Sequence, residues 1–240
     1  MNRIEILGVG FDNVSMDEAI ERAFEWIKQR EGRFVVTPNP EIVMLARENE
    51  ELKDTIEQAS LVLPDGIGII YGAKILGTPL KERVPGIDFA SGQMEKLSVH
   101  HGRVYLLGAK PGVAEQAGLN LSEQYPGLII AGTHDGYFID DAEIIQEINM
   151  LKPDLLLVCL GFPKQEFWMR DRGPKLNVGL MAGLGGSLDV FAGVVQRAPA
   201  VWQKLGLEWL YRLLKEPTRF GRMMKLPQFL LYVIKERVKK

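Results

Sequence analysis

Short apolar runs alternate with helical repeats along this 240-residue chain, and the apolar runs end in abrupt polar turns. Phe34-Val35-Val36 stops at Thr37-Pro38-Asn39-Pro40, and Leu61-Val62-Leu63 stops at Pro64-Asp65-Gly66. Leu155 to Leu160 meets Gly161-Phe162-Pro163-Lys164-Gln165-Glu166, and Val178 to Met181 meets Ala182-Gly183-Leu184-Gly185-Gly186-Ser187. With Val104 to Leu107, Leu128 to Ala131 and the alternating Met1 to Leu7, these runs read as strands. Ser15 and Glu18 form a capping box for a helix ending near Arg30, and Asn39 before Pro40 reads as an N-cap with proline in the first turn. The alternation predicts βαβ units in an α/β, Rossmann-like fold: a mostly parallel, twisted sheet with helices on both faces. Ligands of such sheets bind outside the carboxyl ends of the strands, so several polar turns point to one shared site.

The pattern changes after Gln196. Trp202, Leu205, Trp209 and Leu213 recur at helical spacing, with Lys204, Glu208, Arg212 and Lys215 on another side. A second amphipathic helix follows Pro227, with Phe229, Leu230, Val233 and Ile234 apolar and Lys235, Arg237, Lys239 and Lys240 charged. This divides the chain into an α/β domain, residues 1–195, and a helical appendage, residues 196–240. Charge divides it at the same place. The net charge of −2 combines 11 Lys+Arg against 3 Asp+Glu from Gln196 onward with 18 against 28 before it. A +8 tail on a −10 globule calls for an anionic partner, here a membrane surface and not bulk nucleic acid. Docking of the tail on the globule through Trp202, Trp209 and Leu213 accounts for the pattern equally well, and the same stripes would serve a homo-oligomer interface.

The remaining composition removes function classes. No apolar run approaches the roughly 18 residues that span a bilayer, and the N-terminus lacks a signal-peptide pattern, so a cytoplasmic protein is expected. Cys159, the single cysteine, lies inside an apolar run and reads as a buried thiol; with three histidines, no zinc site is expected. There is no phosphate-binding G-x-x-x-x-G-K-[ST] loop, no G-x-S-x-G elbow and no D-x-D pair for a nucleotide-bound cation. Gly66-Ile67-Gly68 and Gly183-Leu184-Gly185 do not complete a dinucleotide fingerprint. Neither a cofactor nor a metal is expected, and an oxidoreductase or methyltransferase is disfavoured.

Asp65 is the candidate base, because a carboxylate after a buried strand sits in the crevice, where partial desolvation raises its pKa. It would equally N-cap the next helix. Thr37 and Asn39 offer a hydroxyl and an amide to a sugar or nucleoside, although Asn39-Pro40 is also an ordinary helix start. Arg83, in the polar Gly77 to Gly86 loop, would clamp phosphates or lie on the surface as a plain charge. Gln165 and Glu166 begin a helix whose N–H groups favour anions, or else mark an ordinary solvated helix start. Gly185 lies in a loop with exposed N–H groups, Asp189 would accept from a ribose or base or else cap its helix, and Tyr137, near His134, would stack on a ring or order its loop.

These segments together resemble a known family. Thr37-Pro38-Asn39-Pro40-Glu41, Pro64-Asp65-Gly66, Arg83-Val84-Pro85-Gly86, Gly161 to Glu166 with Trp168, Gly183 to Gly186, and Arg197-Ala198-Pro199 through Gly206-Leu207-Glu208-Trp209-Leu210-Tyr211-Arg212 to Glu216-Pro217 are similar to the WecG/TagA/CpsF glycosyltransferases. The resemblance is to the branch acting in wall teichoic acid synthesis. It implies an inverting, metal-independent transfer of N-acetylmannosamine from a UDP-sugar donor to the C4 hydroxyl of a polyprenyl-diphosphate-linked acceptor, undecaprenyl-diphosphate-GlcNAc. It further implies Asp65 as general base, Thr37, Asn39, Arg83 and Gln165 around the site, and Asp189 as a uridine contact. Arg212, Arg219 and Arg222 of a membrane-associated tail would complete the site at the inner face of the plasma membrane. Two other readings stay open: a relative using a different UDP-sugar, and a non-catalytic binding protein for nucleotide-sugars or polyprenyl phosphates.

Overall fold

The computed structural model describes residues 3–215 and 220–239, apart from the side chains of Lys204, Arg212, Arg222 and Met223. The chain opens with a hairpin, β1 (Arg3–Ile6) and β2 (Val9–Asp12), paired antiparallel with Ile6 opposite Val9. There follow α1 (Met16–Gln29), β3 (Arg33–Val36), α2 (Pro40–Ala46), α3 (Glu50–Gln58), β4 (Leu61–Val62), α4 (Ile67–Leu76) and α5 (Gly86–Val99). The second half runs β5 (Arg103–Gly108), α6 (Val113–Gln124), β6 (Ile129–His134), α7 (Ala142–Leu151), β7 (Leu155–Cys159), α8 (Lys164–Arg172), β8 (Leu180–Gly183) and α9 (Ser187–Phe191). Strands β3 to β8 form one six-stranded sheet in the order β4-β3-β8-β7-β5-β6, every pair parallel. The expected Rossmann-like α/β fold is therefore present. The hairpin stands outside this sheet, and β2 is a strand that the apolar runs did not disclose.

Side-chain alternation along the strands sorts the core into two layers. Val35, Leu61, Leu106, Leu157 and Ala182 face a layer shared with α1, α5, α6 and α9. Their neighbours Val36, Val62, Leu107, Val158 and Met181 face the opposite layer, with α2, α3, α4 and the hairpin. The strands are buried on both faces, which explains why they read as continuous apolar runs. The local signals hold: Ser15 Oγ accepts from the Glu18 N–H while Glu18 accepts from the Ser15 N–H, and Asn39 Oδ1 accepts from the Ile42 N–H with Pro40 at the helix start.

The tail differs from its expected form. The stripe of Trp202, Leu205, Trp209 and Leu213 spans two helices, α10 (Ala200–Lys204) and α11 (Glu208–Lys215). Gly206, at φ +70°, breaks them, because the left-handed conformation that stops the first helix suits glycine. After α12 (Phe220–Met223), α13 (Lys225–Lys239) starts before Pro227, which sits in the first turn where a missing N–H does no harm. The most extensive docking on the globule is that of α13 against α4 and α2. Phe229 and Val233 are fully buried in the core layer of α2 and α4, whereas Trp202 packs on Tyr211 within the tail, with ring centroids 5.7 Å apart. Gly68 and Gly72, one turn apart on α4, make room: a β-carbon at Gly72 would lie 3.0 Å from the Phe229 ring, and one at Gly68 2.5 Å from Leu226. Arg237 closes the joint by donating to the Leu76 carbonyl at 3.1 Å, near the C-terminus of α4.

Candidate active site

Because all six strands run parallel, the turns after β3, β4, β7 and β8 share one edge of the sheet. Part of that edge is a cleft of about 220 Å³, lined by Asn39, Asp65, Arg83, Leu184 and Ser187 from the globule and by Gly206, Glu208, Trp209 and Leu226 from the tail. The β4 turn sets Asp65. Its N–H donates to the Leu63 carbonyl at 2.9 Å, and the chain then turns through Gly66 at φ +89° into α4. Gly66 occupies the N-cap position of that helix, so Asp65 stands one residue before the cap. The carboxylate, 32% exposed, lies on the cleft wall.

Arg83 faces it. The guanidinium Nη2 is 3.9 Å from Asp65 Oδ1 and donates to Glu208 Oε2 at 2.9 Å. The Arg83 side chain is only 19% exposed, and the next residue, Val84, is fully buried and donates to the Pro64 carbonyl at 3.0 Å. Arg83 is thus neither a plain surface charge nor on a free loop. Asn39 Oδ1 caps α2, and the residue also lines the cleft.

Thr37 and Gln165 behave differently from expectation. Both are buried and neither lines the cleft. The Thr37 hydroxyl donates to the Gly183 carbonyl at 3.0 Å, and Gln165 Oε1 accepts from the Gly185 N–H at 3.0 Å while its Nε2 donates to Glu166 Oε1 at 2.9 Å. The two side chains fasten the Gly183 to Ser187 loop from opposite sides because each strand end is adjacent to β8 in the sheet. Burial raises the Glu166 carboxyl to about 7, against the lowering effect of the Gln165 hydrogen bond. Its second oxygen is buried with no hydrogen-bond partner among the described residues.

Asp189 sits in the first turn of α9 with no side-chain cap bond. It is near enough to Cys159 for its charge to add to burial, the main cause that pushes that thiol up to about 12. Cys159 is a packing residue. Tyr137 is not part of this cluster. It follows β6, five strand spacings from β4, or about 24 Å at roughly 4.8 Å each. Its ring is exposed and its N–H donates to Asp135 Oδ1 at 2.7 Å, so ordering the loop is what its backbone does. Of the tail arginines, Arg219 and the side chains of Arg212 and Arg222 lie outside the described residues.

Glu208 is a charged lining residue to which sequence reasoning assigned no role in the site. The available signal was compositional: it is one of 3 acids in a tail with 11 bases. A second ion pair anchors the same stretch, Arg197 donating to both Asp88 oxygens at 2.5 and 2.7 Å. These bonds raise the Arg197 guanidinium above its usual value, against the opposing cost of burial. Among the described residues no group of three or more His, Cys, Asp or Glu side chains is arranged to hold a metal ion, and no helix is long and apolar enough to cross a membrane.

The chain is 37% identical over 239 residues to the N-acetylglucosaminyldiphosphoundecaprenol N-acetyl-beta-D-mannosaminyltransferase of Staphylococcus aureus strain MW2, covering 99% of this chain and 94% of the relative. The protein of that name in strain NCTC 8325 matches over the same length at the same identity. The profile of the glycosyl transferase WecG/TagA/CpsF family matches residues 4–240, from the hairpin to the end of the tail. With its parallel-sheet edge and its tail both inside that match, the chain belongs to the WecG/TagA/CpsF family of glycosyltransferases.

Proposed function

We propose that this enzyme moves N-acetylmannosamine from UDP-N-acetylmannosamine to the C4 hydroxyl of undecaprenyl-diphosphate-linked N-acetylglucosamine, with inversion, in wall teichoic acid synthesis. The observation that carries this reading is the facing of Asp65 and Arg83, 3.9 Å apart, across a cleft completed by the tail. In a single displacement the Asp65 carboxylate takes the proton of the acceptor hydroxyl as its oxygen forms the bond to the anomeric carbon. The bond from that carbon to the diphosphate breaks, and UDP leaves from the opposite face. Arg83, backbone N–H groups of the loop around Gly185, and the tail arginines Arg212, Arg219 and Arg222 take up the charge of the leaving diphosphate without a metal ion.

Cleft size supports one division of labour. Whole small-molecule sites occupy about 300–1,000 Å³, so a cleft of about 220 Å³ suits a single sugar ring. The uridine then lies along the open strand ends toward Asp189. Thr37 and Gln165 serve by holding the loop between. The exposed Val201, Leu205, Leu214, Phe220 and Leu231 supply apolar contact to the inner face of the plasma membrane, and the basic residues of the tail supply attraction to anionic lipid.

A single-turnover assay with UDP-N-acetylmannosamine and a short-chain lipid-diphosphate-GlcNAc acceptor, run in EDTA, tests the proposal. Wild type should form the β-linked disaccharide, and Asp65→Asn should be slower by about 10²–10⁴-fold with UDP affinity retained. UDP binding without turnover in wild type would favour a different donor or a binding protein; a requirement for added magnesium would overturn the metal-free step.

A further inference from the structure

The cleft contains a charge that the transfer scheme above does not use. Glu208 opens α11, is 7% exposed, and lines the cleft beside Asp65 and Arg83. A carboxylate so far from water is costly to keep ionised unless it is paired. Its partner is Arg83, the cation that the proposed function assigns to the donor diphosphate, and this inference rests on that assignment. A single guanidinium nitrogen, Nη2, serves both carboxylates, at 2.9 Å from Glu208 and 3.9 Å from Asp65. Arg83 Nε is buried and has no hydrogen-bond partner among the described residues, so the hydrogen bond from Nη2 to Glu208 is what orients the guanidinium.

We propose that Glu208 is a positioning residue of the transfer reaction: delivered by the docked tail, it holds the Arg83 guanidinium beside Asp65 in the pose that receives the donor diphosphate. Arg83 comes from a loop between α4 and α5, with long side-chain freedom of its own, and Glu208 removes that freedom before substrate arrives. The placement of Glu208 does not depend on Arg83 alone. Arg197 and Asp88 fix the start of the tail to α5, and Gly206 lies against Ile67, where an added β-carbon would come within 2.9 Å. Tail docking and the pose of Arg83 are therefore linked by one hydrogen-bonded ion pair.

A double-mutant cycle over Glu208→Gln and Arg83→Ala separates this role from mere support. The readouts are kcat and KM for UDP-N-acetylmannosamine and, independently of turnover, UDP affinity by calorimetry. Glu208→Gln alone should lower kcat/KM by about 10–100-fold and weaken UDP by about tenfold, while in the Arg83→Ala background it should cost less than about threefold. Glu208→Asp, which keeps the charge on a shorter arm, should recover part of the loss and serves if the glutamine variant does not fold. Equal losses in both backgrounds would reduce Glu208 to a packing role. Tighter UDP binding and faster turnover in Glu208→Gln would make it a plug that competes with the diphosphate. If wild type binds UDP but does not transfer from this donor, the donor assignment fails while the cycle is still read on UDP affinity; if wild type does not bind UDP, the reading of Arg83 fails with it.

Discussion

The Gly183 carbonyl and the Gly185 N–H each take a side-chain partner from a neighbouring strand end, Thr37 from β3 and Gln165 after β7. Both side chains fix the loop whose Leu184, Gly186 and Ser187 line the cleft. Sequence could place them at strand ends but could not orient them, because their partners are 146 and 20 residues away and depend on strand order. The capping box at Ser15 and the cap at Asn39 were readable because donor and acceptor are three residues apart. Glu166 sets a pH dependence at this scale. Its folded carboxyl is raised to about 7 from an ordinary value of 4.5, so below 4.5 both states are protonated and nothing is lost. Between 4.5 and about 7 the unfolded chain releases a proton that the folded chain keeps, and stability falls as pH rises; above about 7 the loss is complete. Thermal unfolding across this window should show wild type losing on the order of 3 kcal/mol relative to Glu166→Gln, whose Oε1 still accepts from Gln165. Parallel curves for the two proteins would place the ionisation elsewhere.

Among elements, the parallel strands were legible because burial on both faces leaves uninterrupted apolar runs, and the hairpin was not. Its turn puts Leu7 at φ 51° beside Gly8, and leucine carries no turn signal. The break at Gly206 was hidden for a related reason: the apolar stripe keeps its spacing across the interruption, so periodicity alone reads one helix. The docking of α13 was also hidden, since nothing in the sequence of α4 marks Gly68 and Gly72 as a surface for Leu226 and Phe229. That surface makes a prediction. Gly72→Leu should expel Phe229 and release α13, at a cost of about 1–3 kcal/mol in unfolding free energy. Hydrogen exchange should then rise along α13 and the facing side of α4 while β5 and β7 stay protected. Unchanged protection of α13 would show that the helix is held by contacts other than this one.

For the whole molecule, the division of charge was legible and its mechanical use was not. The tail is net positive on a net negative globule, yet its last helix is packed into the core layer, so tail and globule share Phe229 and Val233. Binding to vesicles of anionic phospholipid should fall by about tenfold or more between 0.05 and 0.5 M salt, because each nearby Lys or Arg contributes about 1 kcal/mol that screening removes. Co-sedimentation measures this, and salt-independent binding would assign the attraction to the exposed apolar side chains instead.

The packing of α13 on α4 also has a consequence in time. About 150 residues of chain separate the two helices, and at roughly 5–20 residues per second α4 leaves the ribosome some 8–30 s before its cover exists. During that interval the glycine-lined face that will take Phe229 is open, and the helix that follows the proposed base has no partner on that side. A nascent chain therefore presents an adhesive face until the tail has been translated, and chaperone occupancy should be greatest on chains stalled between α9 and α13.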